Sequence, residues 1–191
     1  MRRFAVLLLF LAYSFAAICA WGGEWTSPKG FTLTFPDGWK ALTDDQLNKV
    51  LAAQKPPADN APKPPPPEII LVGPAQGNFT SQMNVTLIPQ AIAFNAMIEG
   101  QILGQFKAAV FTAGTKIGEV KTGHMDVDKR HAFSMAYEQE APDDPVRCWK
   151  VYVPGAKQTY LVTCVAKKAQ WETVFPDFKK IIREMRVDVK P

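Results

Sequence analysis

The stretch from residue 115 to residue 166 constrains the fold most. Within it "TKIGEVKT", "HAFSMAYEQE", "RCWKVYVP" and "TYLVTCVA" read as four strands in series. Pro-Asp-Asp-Pro at 142–145 and Pro-Gly-Ala-Lys at 154–157 supply the later turns. Strands joined by connections this short run antiparallel, because a parallel pair needs a crossover of a dozen or more residues. The chain is therefore expected to be built on an antiparallel sheet.

Elements on either side complete the order. Phe31-Thr-Leu-Thr-Phe35 alternates with period two and reads as a strand, closed by the turn "PDGW" with Trp39 placed in the core. Thr43 and Gln46 have capping-box spacing ahead of a helix whose stripe is Leu47, Val50 and Leu51. The proline-rich segment 55–67 is expected to be a stiff surface loop, since proline lacks the donor for a ladder bond. "IILVG" (69–73) and "MNVTLIP" (83–89) read as strands joined by a Gly-Pro-rich turn. Residues 91–113 form the longest predicted helix, with Ile98, Ile102, Phe106, Ala109, Val110 and Ala113 toward the core and Gly114 as its stop. Gly100 and Gly104 are expected to pack closely on the sheet. "VFPDFKKIIREMRV" gives a closing helix with Pro176 in its first turn and a stripe of Phe178, Ile181, Ile182 and Met185.

The first 20 residues read as a signal peptide: Arg2 and Arg3, an apolar run from Phe4 to Leu11, then small residues to Ala20. The apolar run is shorter than the about 20 residues a spanning helix needs. Lipid anchoring at Cys19 is disfavoured, because Ala16 and Ile18 do not match the residues expected before a lipidated cysteine. Cleavage near Ala20 makes residues 21–191 one domain, periplasmic or secreted. The net charge of +4 falls to +2 without Arg2 and Arg3, which argues against nucleic acid.

The order of elements resembles the PsbP-like fold, which includes the extrinsic proteins of photosystem II and the bacterial DcrB lipoproteins. The segments carrying the likeness are "FTLTFPDGWK" (31–40), "VDKRHAFSMAYE" (127–138) and "YLVTCVAKKAQWETVFPDFKKIIREM" (160–185). The resemblance implies an α+β sandwich, an antiparallel sheet with helices on both faces, and accessory or binding roles rather than a shared reaction.

Chemistry-bearing residues are few. Both histidines lie in "GHMDVDKRH", where His124, Asp126, Asp128 and His131 are the candidate metal ligands, of a type suited to zinc, manganese or copper. Their spacing matches no standard zinc pattern, and a solvated hairpin tip is the preferred reading. Cys148 and Cys164 are expected to form a disulfide, as an even pair in an exported chain does. A hairpin register setting Cys148 against Cys164 also sets Trp149 against Thr163 and Tyr152 against Tyr160, with the turn at 154–158. Lys179, Lys180, Arg183 and Arg186 make a basic face for an acidic partner or anionic membrane. No nucleophile elbow, HExxH, P-loop or dinucleotide fingerprint occurs, and no cofactor is implied. The reading is an exported, non-catalytic accessory or binding protein of the cell envelope with a protein partner. The alternatives are a metal-binding protein or metal-dependent enzyme at 124–131, and a lipid or small-ligand carrier with its pocket between the long helix and the sheet.

Overall fold

The computed structural model describes residues 22–53, 65–76, 79–141 and 144–189. The leader, the proline-rich stretch 54–64 and part of the Pro-Asp-Asp-Pro turn lie outside the described residues.

The elements in chain order are β1 (Gly23–Ser27), β2 (Phe31–Phe35), β3 (Lys40–Ala41), α1 (Asp44–Ala53), β4 (Pro67–Gln76), β5 (Phe79–Ile88), α2 (Ala96–Thr112), β6 (Lys121–Val127), β7 (Arg130–Gln139), β8 (Val146–Pro154), β9 (Thr159–Lys167), α3 (Trp171–Glu184) and β10 (Arg186–Val187). Seven strands form one antiparallel sheet in the order β3-β4-β5-β9-β8-β7-β6, and β1-β2-β10 form a second, small sheet. The step from β5 to β6 crosses three strands, so α2 has to traverse one face of the sheet. On the other face α3 and the small sheet enclose the main core, which includes Phe31, Leu33, Trp39, Val151, Val162, Phe178 and Ile181. Helices thus flank both faces, as the order of elements implied.

Local physics explains most boundaries. Thr43 and Gln46 close a capping box, Gln46 N–H donating to Thr43 Oγ1 and Thr43 N–H to Gln46 Oε1. Trp39 is fully buried, edge-on to Phe178, and its indole N–H donates to Asp177 Oδ2 at 2.9 Å. Gly73 lies flat on that indole, where a Cβ would stand 3.0 Å from the ring.

Five expectations are corrected. The strands around 69–73 and 83–89 are longer, because Gly73-Pro74 does not end β4. The register shifts between Val72 and Ala75, and a bulge is where a sheet tolerates proline. The strand placed at 115–122 lies instead at 121–127, with Ile117 making only an isolated bridge to Gln139. α3 starts at Trp171 rather than at Val174, since buried Trp171 extends the apolar stripe back by a turn, and Pro176 sits in the second turn. α2 begins at Ala96, where the Asn95 carboxamide accepts from the N–H groups of Met97 and Ile98. Its glycines do not meet the sheet: a Cβ at Gly100 or Gly104 would have nothing within 4 Å.

Candidate functional site

The β6–β7 hairpin pairs Asp126 with His131 and Val127 with Arg130, leaving Asp128 and Lys129 as a two-residue turn. Both turn residues take positive φ, 48° and 63°, as a primed hairpin turn demands. Neither is glycine, so each carries a steric cost on the order of 1 kcal/mol. Side-chain bonds hold the turn in place. The Asp128 carboxylate accepts from Val187 N–H at 3.0 Å and lies 3.6 Å from Arg186. Arg130 donates to the Pro154 carbonyl and pairs with Asp188 at 2.6 Å. Asp188, the third non-glycine residue at positive φ, also accepts from Ala156 N–H and lies 3.3 Å from the Tyr160 hydroxyl. The left-handed non-glycine residues thus share one pole, tied together by carboxylates.

This arrangement splits the four candidate metal ligands. Asp128 turns to β10 across the pole. His124 and His131 stack face to face, centroids 4.7 Å apart and planes 17° from parallel. His124 Nε2 meets Glu99 Oε1 of α2 at 3.0 Å, and His131 Nδ1 lies 3.6 Å from Asp126. Ring nitrogens bind metal in the ring plane, so rings in parallel planes point alongside each other rather than at one centre. Among the described residues no three His, Cys, Asp or Glu side chains are placed to hold a metal ion. Ser134 lies on the opposite face of β7 from His131, buried and donating to the Gly123 carbonyl, so the strand pleat separates serine from imidazole.

The cysteine register is off by one. β8 and β9 pair Trp149 with Cys164 and Cys148 with Val165, and Pro154 faces Thr159. The connecting loop is thus 155–158, closed by Gly155 N–H donating to the Gln158 carbonyl. A one-residue slip sends every side chain to the other face. Cys164 therefore lies in the core under α3, and Cys148 lies on the α2 face beside Tyr137 and Val146. The expected disulfide is absent: both thiols are free and buried. Burial pushes the Cys148 thiol up to about 11, the hydrogen bond from Tyr137 opposing it, and raises Cys164 well above the usual thiol range. Neither is a thiolate at neutral pH, which removes them as nucleophiles.

The basic residues of α3 do come together. Lys180 and Arg183 are exposed opposite the buried stripe, and Lys179 lies over the Phe175 ring at 5.6 Å. A shallow groove of about 520 Å³ is lined by Phe175, Pro176, Lys179, Lys180, Arg183 and Glu184. Arg183 and Glu184 also border a second groove, of about 580 Å³, whose far wall includes Asp126, Asp128 and Arg186. Arg186 is partnered by Asp128, whereas Lys179, Lys180 and Arg183 form no ion pair among the described residues. Some cations elsewhere are matched. Arg147 bridges Glu138 and Glu172 at 3.0 and 2.9 Å, and Lys168 reaches Glu138 at 2.8 Å.

Sequence reasoning passed over one group. Lys150 stands on β8 in the row of Val146, Cys148 and Tyr152, facing α2, with its ammonium 5.2 Å from the Phe106 ring centroid. The signal was present in "RCWKVYVP", where a lysine occupies a position that alternation assigns to the interior.

No protein-family model matches the chain, and no curated protein matches its sequence significantly. Solved structures do. The solution structure of cyanobacterial PsbP (CyanoP) from Synechocystis sp. PCC 6803 superposes with a TM-score of 0.61 at 11% identity, covering 93% of this chain and 98% of that one. A protein from Bacteroides thetaiotaomicron VPI-5482 gives 0.52 at 8% identity, covering 88% of this chain and 49% of that longer one. LpqN, involved in cell envelope biogenesis of Mycobacterium tuberculosis, gives 0.47 at 14% identity over 87% and 91% of the two chains. With the antiparallel sheet and the helices on its two faces already in place, the CyanoP superposition makes this a PsbP-like fold.

Proposed function

We propose that this chain is an exported, non-catalytic binding protein of the cell envelope that docks an acidic protein partner on the outward face of α3. One observation carries the reading: Lys179, Lys180 and Arg183 lie together with no ion pair among the described residues, Glu184 being the one carboxylate that lines their groove, beside the apolar floor of Phe175 and Pro176. A cation row flanking an apolar strip matches an acidic surface by charge and gives it something to bury. The leader supports export. The protonated, buried cysteines and the serine turned away from the histidines support a non-catalytic role.

The test is binding to a poly-glutamate peptide at low and moderate salt. Salt-sensitive binding that is lost in Lys179→Glu/Lys180→Glu/Arg183→Glu, with an unchanged circular dichroism spectrum, is expected. Undiminished binding by the triple variant would overturn the reading. So would attachment only to phosphatidylglycerol vesicles, which would make the face a membrane contact instead.

A further inference from the structure

The side of the sheet under α2 differs from the α3 side in one chemical respect. It holds a cation inside an apolar layer. Lys150 is flanked across β7 and β9 by Met135 and Thr163 and along its own strand by Cys148 and Tyr152. None of these is acidic. The only acid on α2 is Glu99, and it is already engaged by His124. Arg130, Arg147, Lys168 and Arg186 all reach a carboxylate, whereas Lys150 has only the Phe106 ring among the described residues. A partly dehydrated ammonium without an anion is costly, and a bound anion would offset that cost. Burial accordingly pushes the Lys150 ammonium below the usual lysine range.

The surroundings define the rest of the ligand. Phe133, Met135 and Tyr152 form the sheet side of this layer, and Ile102, Leu103 and Phe106 cover it from α2. No residue of α2 is fully buried, so the layer is closed less tightly than the one under α3. An apolar layer with one unmatched positive charge, under a helix that buries none of its residues fully, fits one negative charge on a long apolar body. A dianion would leave its second charge unmatched, and a sugar would leave hydroxyls unpaired among phenyl rings.

We propose that the layer between α2 and the β7–β8–β9 face binds a long-chain carboxylate, its acyl chain among Phe106, Phe133, Met135 and Tyr152 and its carboxylate on the Lys150 ammonium. Tyr137 and Tyr152 stay neutral across the physiological range, since burial raises the first and pushes the second up to about 12, so neither opposes an anion. This site is on the opposite face from the α3 groove, and either can fail without the other.

The experiment is isothermal titration of the full mature chain with dodecanoate and, separately, with dodecanol. Dodecanoate should bind one per chain and at least ten-fold more tightly than dodecanol. Lys150→Met should bring dodecanoate to the affinity of dodecanol, and Lys150→Arg should keep the preference. Amide exchange should slow in α2 when dodecanoate binds. No saturable dodecanoate binding, equal binding of acid and alcohol, or protection confined to elements other than α2 and the strands beneath it would each overturn the proposal. Should Lys150→Met fail to fold, the acid–alcohol comparison in the wild type and the arginine variant decides the matter alone.

Discussion

The two long helices cover the two faces of one sheet and are seated in opposite ways. α3 buries Trp171, Val174, Phe178, Ile181 and Ile182, while the longer α2 buries none of its residues completely. α2 is the more apolar of the two by composition, yet it leaves Met97 67% and Phe111 87% exposed. The difference is one of arrangement. Apolar residues in α3 fall on one stripe, which a sheet can cover, and charges take the other side. In α2 they surround the axis, so a flat sheet can cover only the strip of Ile102, Leu103 and Phe106. Apolar content does not set burial; its angular distribution does.

The largest expected effect tests that contrast directly. Phe178 is fully buried between Trp39 and Trp171, so Phe178→Ala should destabilise the protein by about 3–5 kcal/mol. Phe106→Ala, on the half-covered strip of α2, should cost roughly half as much, because less apolar surface returns to water. Urea midpoints of the two variants measure it. Equal losses would mean that α2 is as firmly seated as α3.

The polar ties of the helices should rank the same way. Asp177→Ala strands the indole N–H of buried Trp39 and should cost about 1–3 kcal/mol. Glu99→Gln breaks only the exposed contact with His124 and should stay within about 0.5 kcal/mol. A larger loss for Glu99→Gln in the same urea titration would show that the histidine stack, not the apolar strip, holds α2 down.

How much of this could be read from the chain follows the same physics. The closing helix, the capping box at Thr43 and the buried Trp39 were legible because each rests on local spacing or one strong residue. The hairpin tip was half legible: Asp126 opposite His131 follows from a two-residue turn, but the direction of Asp128 depends on β10, which is remote in sequence. The cysteine pairing failed because it hung on whether the loop before Thr159 holds four residues or five, and one residue inverts the face. Gly100 and Gly104 were placed against the sheet because apolar residues on every side of α2 give periodicity no direction to report. Lys150 was missed for a related reason, since a lone charge in a strand is ordinarily read as the exposed face.

The hairpin turn offers a smaller effect of opposite sign. Lys129 is exposed at φ 63°, a conformation glycine adopts without a steric cost. Lys129→Gly should raise stability by up to about 1 kcal/mol, the relief of strain exceeding the added freedom of the unfolded chain. Asp128→Gly should not, because it also removes the acceptor for Val187 N–H. Calorimetric melting of both variants checks the pair.

The smallest effect concerns the ionic network at the start of α3, where α2 has only the Glu99–His124 contact. Glu138 on β7 receives Lys168 at 2.8 Å and Arg147 at 3.0 Å, and Arg147 continues to Glu172 in the first turn of the helix. The hydrogen bond from Lys168, then that from Arg147, hold the Glu138 carboxyl below the usual carboxylate range. A carboxyl whose pKa is lower in the folded chain binds fewer protons there than in the unfolded chain. Its contribution is therefore complete above the unfolded value and disappears as the pH falls through the lowered folded one. The Glu138 side chain keeps 35% of its surface in solvent, so the contribution is small and should shrink further in salt. Melting temperatures of wild type and Glu138→Gln should differ slightly at neutral pH and converge in acid, with the gap narrowing at high ionic strength. A gap that persists in acid would assign the loss to packing of the side chain. The helix start would then be held by Trp171 alone, and the ionic part of the contrast between α3 and α2 would fall.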